Sequence, residues 1–129
     1  MAVKLHRPGY DHAKRLIGEG HAVLDDRDAW SDHQPTAAQE NAYLEEHGFA
    51  AYGRWHLGLD DSAAEDTKAR YRFPYGDFTA VHRCGVLSAE VRAAQYKHVD
   101  VEVAAAHLHG MLDELRTARS GSGDRPSAG

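Results

Sequence analysis

The feature that most constrains this chain is an apolar stripe near its C-terminus. Val101, Ala104, Ala105, Leu108, Met111, Leu112 and Leu115 recur at i, i+3, i+4 and i+7 over four turns, behind Asp100, a residue type suited to capping a helix. The spacing predicts a helix over 100–116, and a stripe that long must be covered by the rest of the chain. At 129 residues, one hydrophobic core is expected, so residues 1–116 are read as a single domain. Thr117 to Gly129 is rich in Ser and Gly, has one Pro and no large apolar residue, and is expected to be a disordered tail.

The preceding segment offers the cover. Asp77 is placed to cap a helix over 77–96, with Phe78, Val81, Gly85, Ala89 and Ala93 on one stripe and Cys84, Leu87, Val91 and Ala94 on another, nearly opposite. Such a helix is either buried on two sides or broken near Gly85. Upstream the period changes to two. Trp55, Leu57 and Leu59 alternate with Arg54, His56 and Gly58, and Ala69, Tyr71 and Phe73 alternate with Lys68, Arg70 and Arg72. With the polar run 60–67 between them, these segments read as an antiparallel hairpin over about 52–73.

Two helices are expected before the hairpin. Thr36 with Gln39 forms a capping-box pattern for a helix over 36–47, and Gly48 suits the left-handed position after it. Asp11 is placed to cap a helix to about Glu19, ended by Gly18 and Gly20. The acidic connector from His21 to Pro35 is expected to hold a turn of helix near Trp30, pinned by Val23, Leu24 and Trp30. The fold class is therefore α+β: a short antiparallel β-hairpin packed against three or four helices, with a C-terminal helical pair.

The stretch Tyr71-Arg-Phe-Pro-Tyr-Gly-Asp-Phe-Thr-Ala-Val-His-Arg-Cys-Gly-Val-Leu, followed by the Ala-rich helix, resembles a domain of unknown function found in phage head-associated and other bacterial proteins. In that domain a strand, a Tyr-Pro-x-x-Asp turn, a helix starting near a His and an Ala-rich helix follow in order; here Tyr71 and Pro74 are separated by two residues. Over about 10–113 the chain is also similar to small actinobacterial proteins that carry Arg27-Asp-Ala-Trp-Ser-x-His-Gln-Pro and Tyr75-Gly-Asp-Phe. The resemblance implies a bacterial, phage-related setting and this order of elements, and no activity.

No run approaches the ~20 apolar residues that span a bilayer. No apolar leader follows the basic start, so a cytoplasmic protein without a membrane partner is expected. The single cysteine, Cys84, excludes an internal disulfide and every zinc pattern built on paired thiolates. Ten histidines invite a metal. On a helix, however, His107 and His109 point about 200° apart, so a zinc site would have to gather His107 or its neighbour with His82, His98 or Cys84. His82 and Cys84, also two apart, would diverge on a helix in the same way. No Ser-His-Asp arrangement, nucleophile elbow or phosphate loop is present, and the protein is not expected to be an enzyme. Asp25 to Asp28 lacks the alternation and turn glycine of a calcium loop and reads as a solvated face.

The net charge of −5 hides a division: residues 1–67 carry 13 acids against 6 bases, and residues 68–98 carry 2 against 6. Lys68, Arg70, Arg72, Arg83 and Lys97 would serve a nucleic-acid surface, although the overall balance is acidic and the same bases have acidic helices to pair with. The stripe of Cys84, Leu87 and Val91 is the better candidate if left uncovered, since an exposed apolar patch marks an interface. A non-enzymatic interaction module, binding a protein partner or forming a homodimer, is thus the first expectation. Nucleic-acid binding is the second and transition-metal binding the third.

Overall fold

The computed structural model describes residues 3–124. In order these form β1 (Val3–Leu5), α1 (Arg7–Gly18), β2 (Ala22–Val23), a 3-10 turn at Arg27–Ala29, α2 (Trp30–His33), α3 (Ala37–Gly53) and β3 (His56–Asp60). A second 3-10 turn at Lys68–Arg70, β4 (Tyr71–Pro74), β5 (Val81–His82), α4 (Arg83–Gln95) and α5 (Val99–Asp124) complete the α+β fold.

The expected hairpin is β3 and β4, paired antiparallel with Gly58 opposite Arg72. It gains a third strand that the sequence reading did not foresee, β1 on the other edge of β3, with Lys4 opposite Leu59. The amide of Leu5 donates to Asp100 Oδ2 at 2.7 Å, tying this edge to the start of α5. The strands are shorter than predicted, because Tyr52 and Gly53 belong to α3, and Lys68 and Arg70 lie in the 3-10 turn instead of on a strand face. His56, expected on the polar face, is buried: its Nδ1 lies 3.0 Å from the Tyr52 carbonyl and its ring packs against Tyr52 and Tyr71. Gly9 makes room for it, since a Cβ there would stand 1.8 Å from the His56 carbonyl oxygen.

Helix α1 begins earlier than predicted, with Pro8 in its first turn and Asp11 inside it. Proline's fixed φ and missing N–H suit that first position. The capping box of α3 forms as expected: Thr36 Oγ1 accepts from the Gln39 amide and Gln39 Oε1 accepts from the Thr36 amide. Gly48 has the expected positive φ, 84°, but its ψ of 174° sends the chain into a further helical segment instead of ending it.

Helices α4 and α5 pack along each other and supply most of the core. Val86, Ala89 and Ala93 meet Val101, Ala105, Leu108 and Leu112, while Leu57, Tyr75 and Trp55 close the core from the sheet side. Helix α5 continues to Asp124, past the point where a disordered tail was expected to begin. Arg119 on that extension donates to the carbonyls of Gly20 and Ala22, and the proline comes only at Pro126. Residues 125–129 of the expected tail lie outside the described residues. No helix among the described residues is long and apolar enough to cross a membrane.

Candidate metal centre

The largest departure from the sequence reading lies between Pro74 and Arg83. Asp77 does not start a helix; its Oδ1 accepts from the amides of Thr79 and Ala80 at 2.9 and 2.8 Å, and Phe78 takes a positive φ of 70° that breaks helical continuation. The chain then extends through β5, and α4 begins only at Arg83. His82 is therefore not helical: with φ −105° and ψ 128° it sits at the helix N-cap. The objection that His82 and Cys84 point apart applied to a helix, and it falls with this geometry.

Strand β5 pairs in parallel with β2, Ala22 opposite Val81 and Val23 opposite His82. Two residues further along the same register, Asp25 reaches Cys84. Its Oδ1 accepts from the Cys84 amide at 2.8 Å, so a carboxylate from the connector satisfies one of the free N–H groups of α4. Its Oδ2 accepts from Nδ1 of His82 and from Nδ1 of His33, both at 2.7 Å. Cys84 Sγ lies 3.7 Å from His33 Nδ1. Four donor atoms, from Asp25, His33, His82 and Cys84, thus lie within 4.8 Å of one another. Gly85 lets the connector approach this closely, because a Cβ there would meet the Tyr75 carbonyl at 2.8 Å and the Trp30 ring at 3.0 Å.

The cluster is largely enclosed. Cys84 is fully buried, and the side chains of Asp25 and His82 are 9% and 8% exposed, while His33 at 38% forms its solvent side. Burial pushes the Asp25 carboxyl up, but the Cys84 amide and the His82 and His33 imidazoles outweigh it and hold the group down at about 2. For His82 burial disfavours the cation, and hydrogen bonds to Asp77 and Asp25 overcome it, so its pKa is raised. The Cys84 thiol is pushed up to about 12, by burial and then by the Asp25 carboxylate. A thiol in that condition is not an activated nucleophile. His33 also turns the same nitrogen toward both Asp25 and Cys84, which is not the relay of a catalytic triad, where opposite ring nitrogens face acid and nucleophile.

Cation binding suits this set. Ordinary zinc bond lengths place a tetrahedral sulfur and nitrogen about 3.6 Å apart, close to the Cys84–His33 separation. The oxygen–nitrogen edges, 2.7 Å here, would open to about 3.4 Å in the same geometry. The partly exposed His33 can move to open its own edge, and the edge between Asp25 and His82 requires a small shift of the connector against β5. His82 Nε2 lies 2.8 Å from Asp77 Oδ2, so with Nδ1 facing the cluster its other N–H is fixed by a carboxylate that the Thr79 and Ala80 amides hold in turn. Histidines that ligate metals are usually oriented in this way.

Of the metal ligands weighed from sequence, His82 and Cys84 belong to this cluster, and His98 and His107 do not. His107 Nδ1 lies 2.7 Å from the Tyr10 hydroxyl, and His98 packs edge-on against Phe73. Asp25 and His33 escaped sequence reasoning: the connector was read as a solvated face, and only the β2–β5 register brings it to α4. The pattern His82-x-Cys84 carries the signal, because with His82 at the N-cap, outside the helix, the divergence expected of two helical residues no longer applies.

The other predicted sites are dispersed. Cys84 and Leu87 are buried beneath the connector, so the apolar stripe is not an open protein-sized face, whereas Val91 is 46% exposed. Among the basic residues, Lys68 pairs with Glu40 at 3.1 Å, Arg72 with Asp60 at 3.5 Å and Arg83 with Asp113 at 3.1 Å; Arg70 donates to the Ala63 carbonyl. Lys97 is exposed on the turn between α4 and α5. These bases form no continuous strand face. Comparison with protein-family models, curated proteins and solved structures finds no match for the chain.

Proposed function

We propose that this chain is a transition-metal-binding protein, with Asp25, His33, His82 and Cys84 as the ligands and zinc as the metal that suits them best. The observation that carries this reading is the convergence of four donors, a carboxylate, a thiol and two imidazoles, from segments 49 residues and more apart in sequence, on one enclosed point. One thiolate, two imidazoles and one carboxylate suit a borderline-soft ion in tetrahedral geometry, and four protein ligands describe a closed site of the structural or storage kind. Untagged protein exposed to trace zinc should retain a single ion per chain by elemental analysis. Cobalt substitution should give the intense visible bands of a tetrahedral thiolate site, lost in Cys84→Ser. Protein that leaves dialysis without zinc and gives only octahedral cobalt spectra would overturn the reading, and the four groups would then serve as a hydrogen-bonded brace between connector and α4.

A second reading, association with a protein partner or a second copy, is favoured by Tyr96, Val99 and Val103, which are 64%, 62% and 63% exposed around the α4–α5 turn. Light scattering should then report an oligomer that Val103→Glu dissociates. A monomer at all concentrations removes it.

A further inference from the structure

Next to the donor cluster, the connector and α4 enclose an open groove of about 500 Å3, a size usual for small-molecule sites. Its floor is apolar, formed by Trp30, Leu87 and Val91, and Arg27 and Arg92 also line it. Among the described residues neither arginine makes an ion pair, as Arg15 and Arg54 also do not, so both guanidinium groups are available to a ligand. Asp28 is on the same wall, so the lining carries two cations and one anion. A guanidinium beside an apolar floor is matched by a ligand with an acid group at one end and an apolar body at the other.

The groove is built from the same two segments as the metal centre. Arg27, Asp28, Trp30 and Ser31 all lie between the ligands Asp25 and His33, and Leu87 and Val91 follow Cys84 by three and seven residues on one face of α4. Trp30 also leans on the ligand His82, their ring centroids 6.1 Å apart. An ion that clamps Asp25 and His33 to His82 and Cys84 fixes both walls at once.

We propose that this groove binds an amphipathic organic anion, an aryl or alkyl carboxylate or sulfonate, with its apolar body on Trp30, Leu87 and Val91 and its acid group held by Arg27 and Arg92. We further propose that metal at the neighbouring cluster sets the groove's affinity; this second statement rests on the metal-binding reading.

The probe is anilinonaphthalene sulfonate, followed by fluorescence, with the uncharged phenylnaphthylamine as comparison. The zinc-loaded protein should bind one sulfonate per chain. Arg92→Ala should weaken it about tenfold, the loss of one charge-assisted contact, and Val91→Asp should abolish it. Both positions are exposed, and unchanged circular dichroism would show that the variants fold. Chelation, and separately Cys84→Ser, should weaken sulfonate binding in the same way. Equal affinity in Arg92→Ala, or equal binding of the uncharged probe, would overturn the anion site. Sulfonate binding that depends on Arg92 and ignores chelation would overturn the coupling alone. A protein that takes up no zinc and still shows Arg92-dependent binding would refute the metal reading and leave the groove standing.

Discussion

Asp77 touches the donor cluster only through His82. Its Oδ1 is committed to the Thr79 and Ala80 amides and its Oδ2 to His82 Nε2, so it fixes which imidazole nitrogen faces Asp25. Replacing it with Asn keeps the turn but offers His82 an amide in place of a carboxylate, which weakens the preference for the ligating tautomer. Asp77→Asn is expected to lower zinc affinity ~10- to 100-fold, measured by competition with a chromophoric chelator, with little change in thermal midpoint. A loss of stability with unchanged affinity would mean that Asp77 serves the turn alone. Gly9 sets a harder limit. A Cβ 1.8 Å from the His56 carbonyl oxygen has no flexible neighbour to displace, so α1 must move off β3. Gly9→Ala should cost about 3 kcal/mol or more in urea unfolding, whereas Gly18→Ala, with open space around it, should be tolerated.

At the scale of elements, legibility in the sequence followed how local the determinants are. The helix around Leu108 and Leu112 and the capping box at Thr36 depend on neighbours within four residues, and both form as read. The strand Val3–Leu5 is three residues long and is defined by pairing with β3 and by Asp100, partners 53 residues and more away, so no local pattern announces it. The start of α4 was misread for the same reason. Asp77 is a good cap in isolation, yet the β2–β5 pairing extends residues 81 and 82 and hands the capping role to Asp25, 59 residues from the amide it accepts. The candidate site is half visible in the sequence: His82 and Cys84 stand out by their chemistry, and their partners are hidden by a register. Gly48 tests how local geometry propagates. With φ 84° and ψ 174° it occupies a region open essentially to glycine, and a Cβ there would touch nothing. Gly48→Ala should therefore cost on the order of 1–3 kcal/mol through backbone strain alone, and the crystal structure of the variant should show the two segments of α3 re-angled. An unchanged stability would mean that the kink is set by packing.

For the molecule as a whole, the buried histidines tie folding to pH. His56 is pushed down to about 4, chiefly by burial, with the Tyr52 carbonyl acting against it and His6 adding to it. His6 and His12 are also lowered, burial being the main cause in both. For a group whose folded pKa lies below its unfolded value of 6.5, the unfolded chain takes up the proton first. The stability held above pH 6.5 is lost as pH falls toward the folded value. His82 runs the other way, because its pKa is raised and protonation favours the folded state. Three groups thus oppose one in this window, and His56 dominates through its depth. Its own contribution is about 3 kcal/mol, lost between pH 6.5 and about 4. Urea midpoints of metal-free protein should fall across this range, and His56→Gln, while less stable at pH 8, should flatten the fall. A wild-type midpoint that stays level from pH 7 to 4.5 would mean that His56 is reached by solvent before the chain unfolds, and the packing of α1 over β3 would then be looser than the Gly9–His56 contact requires.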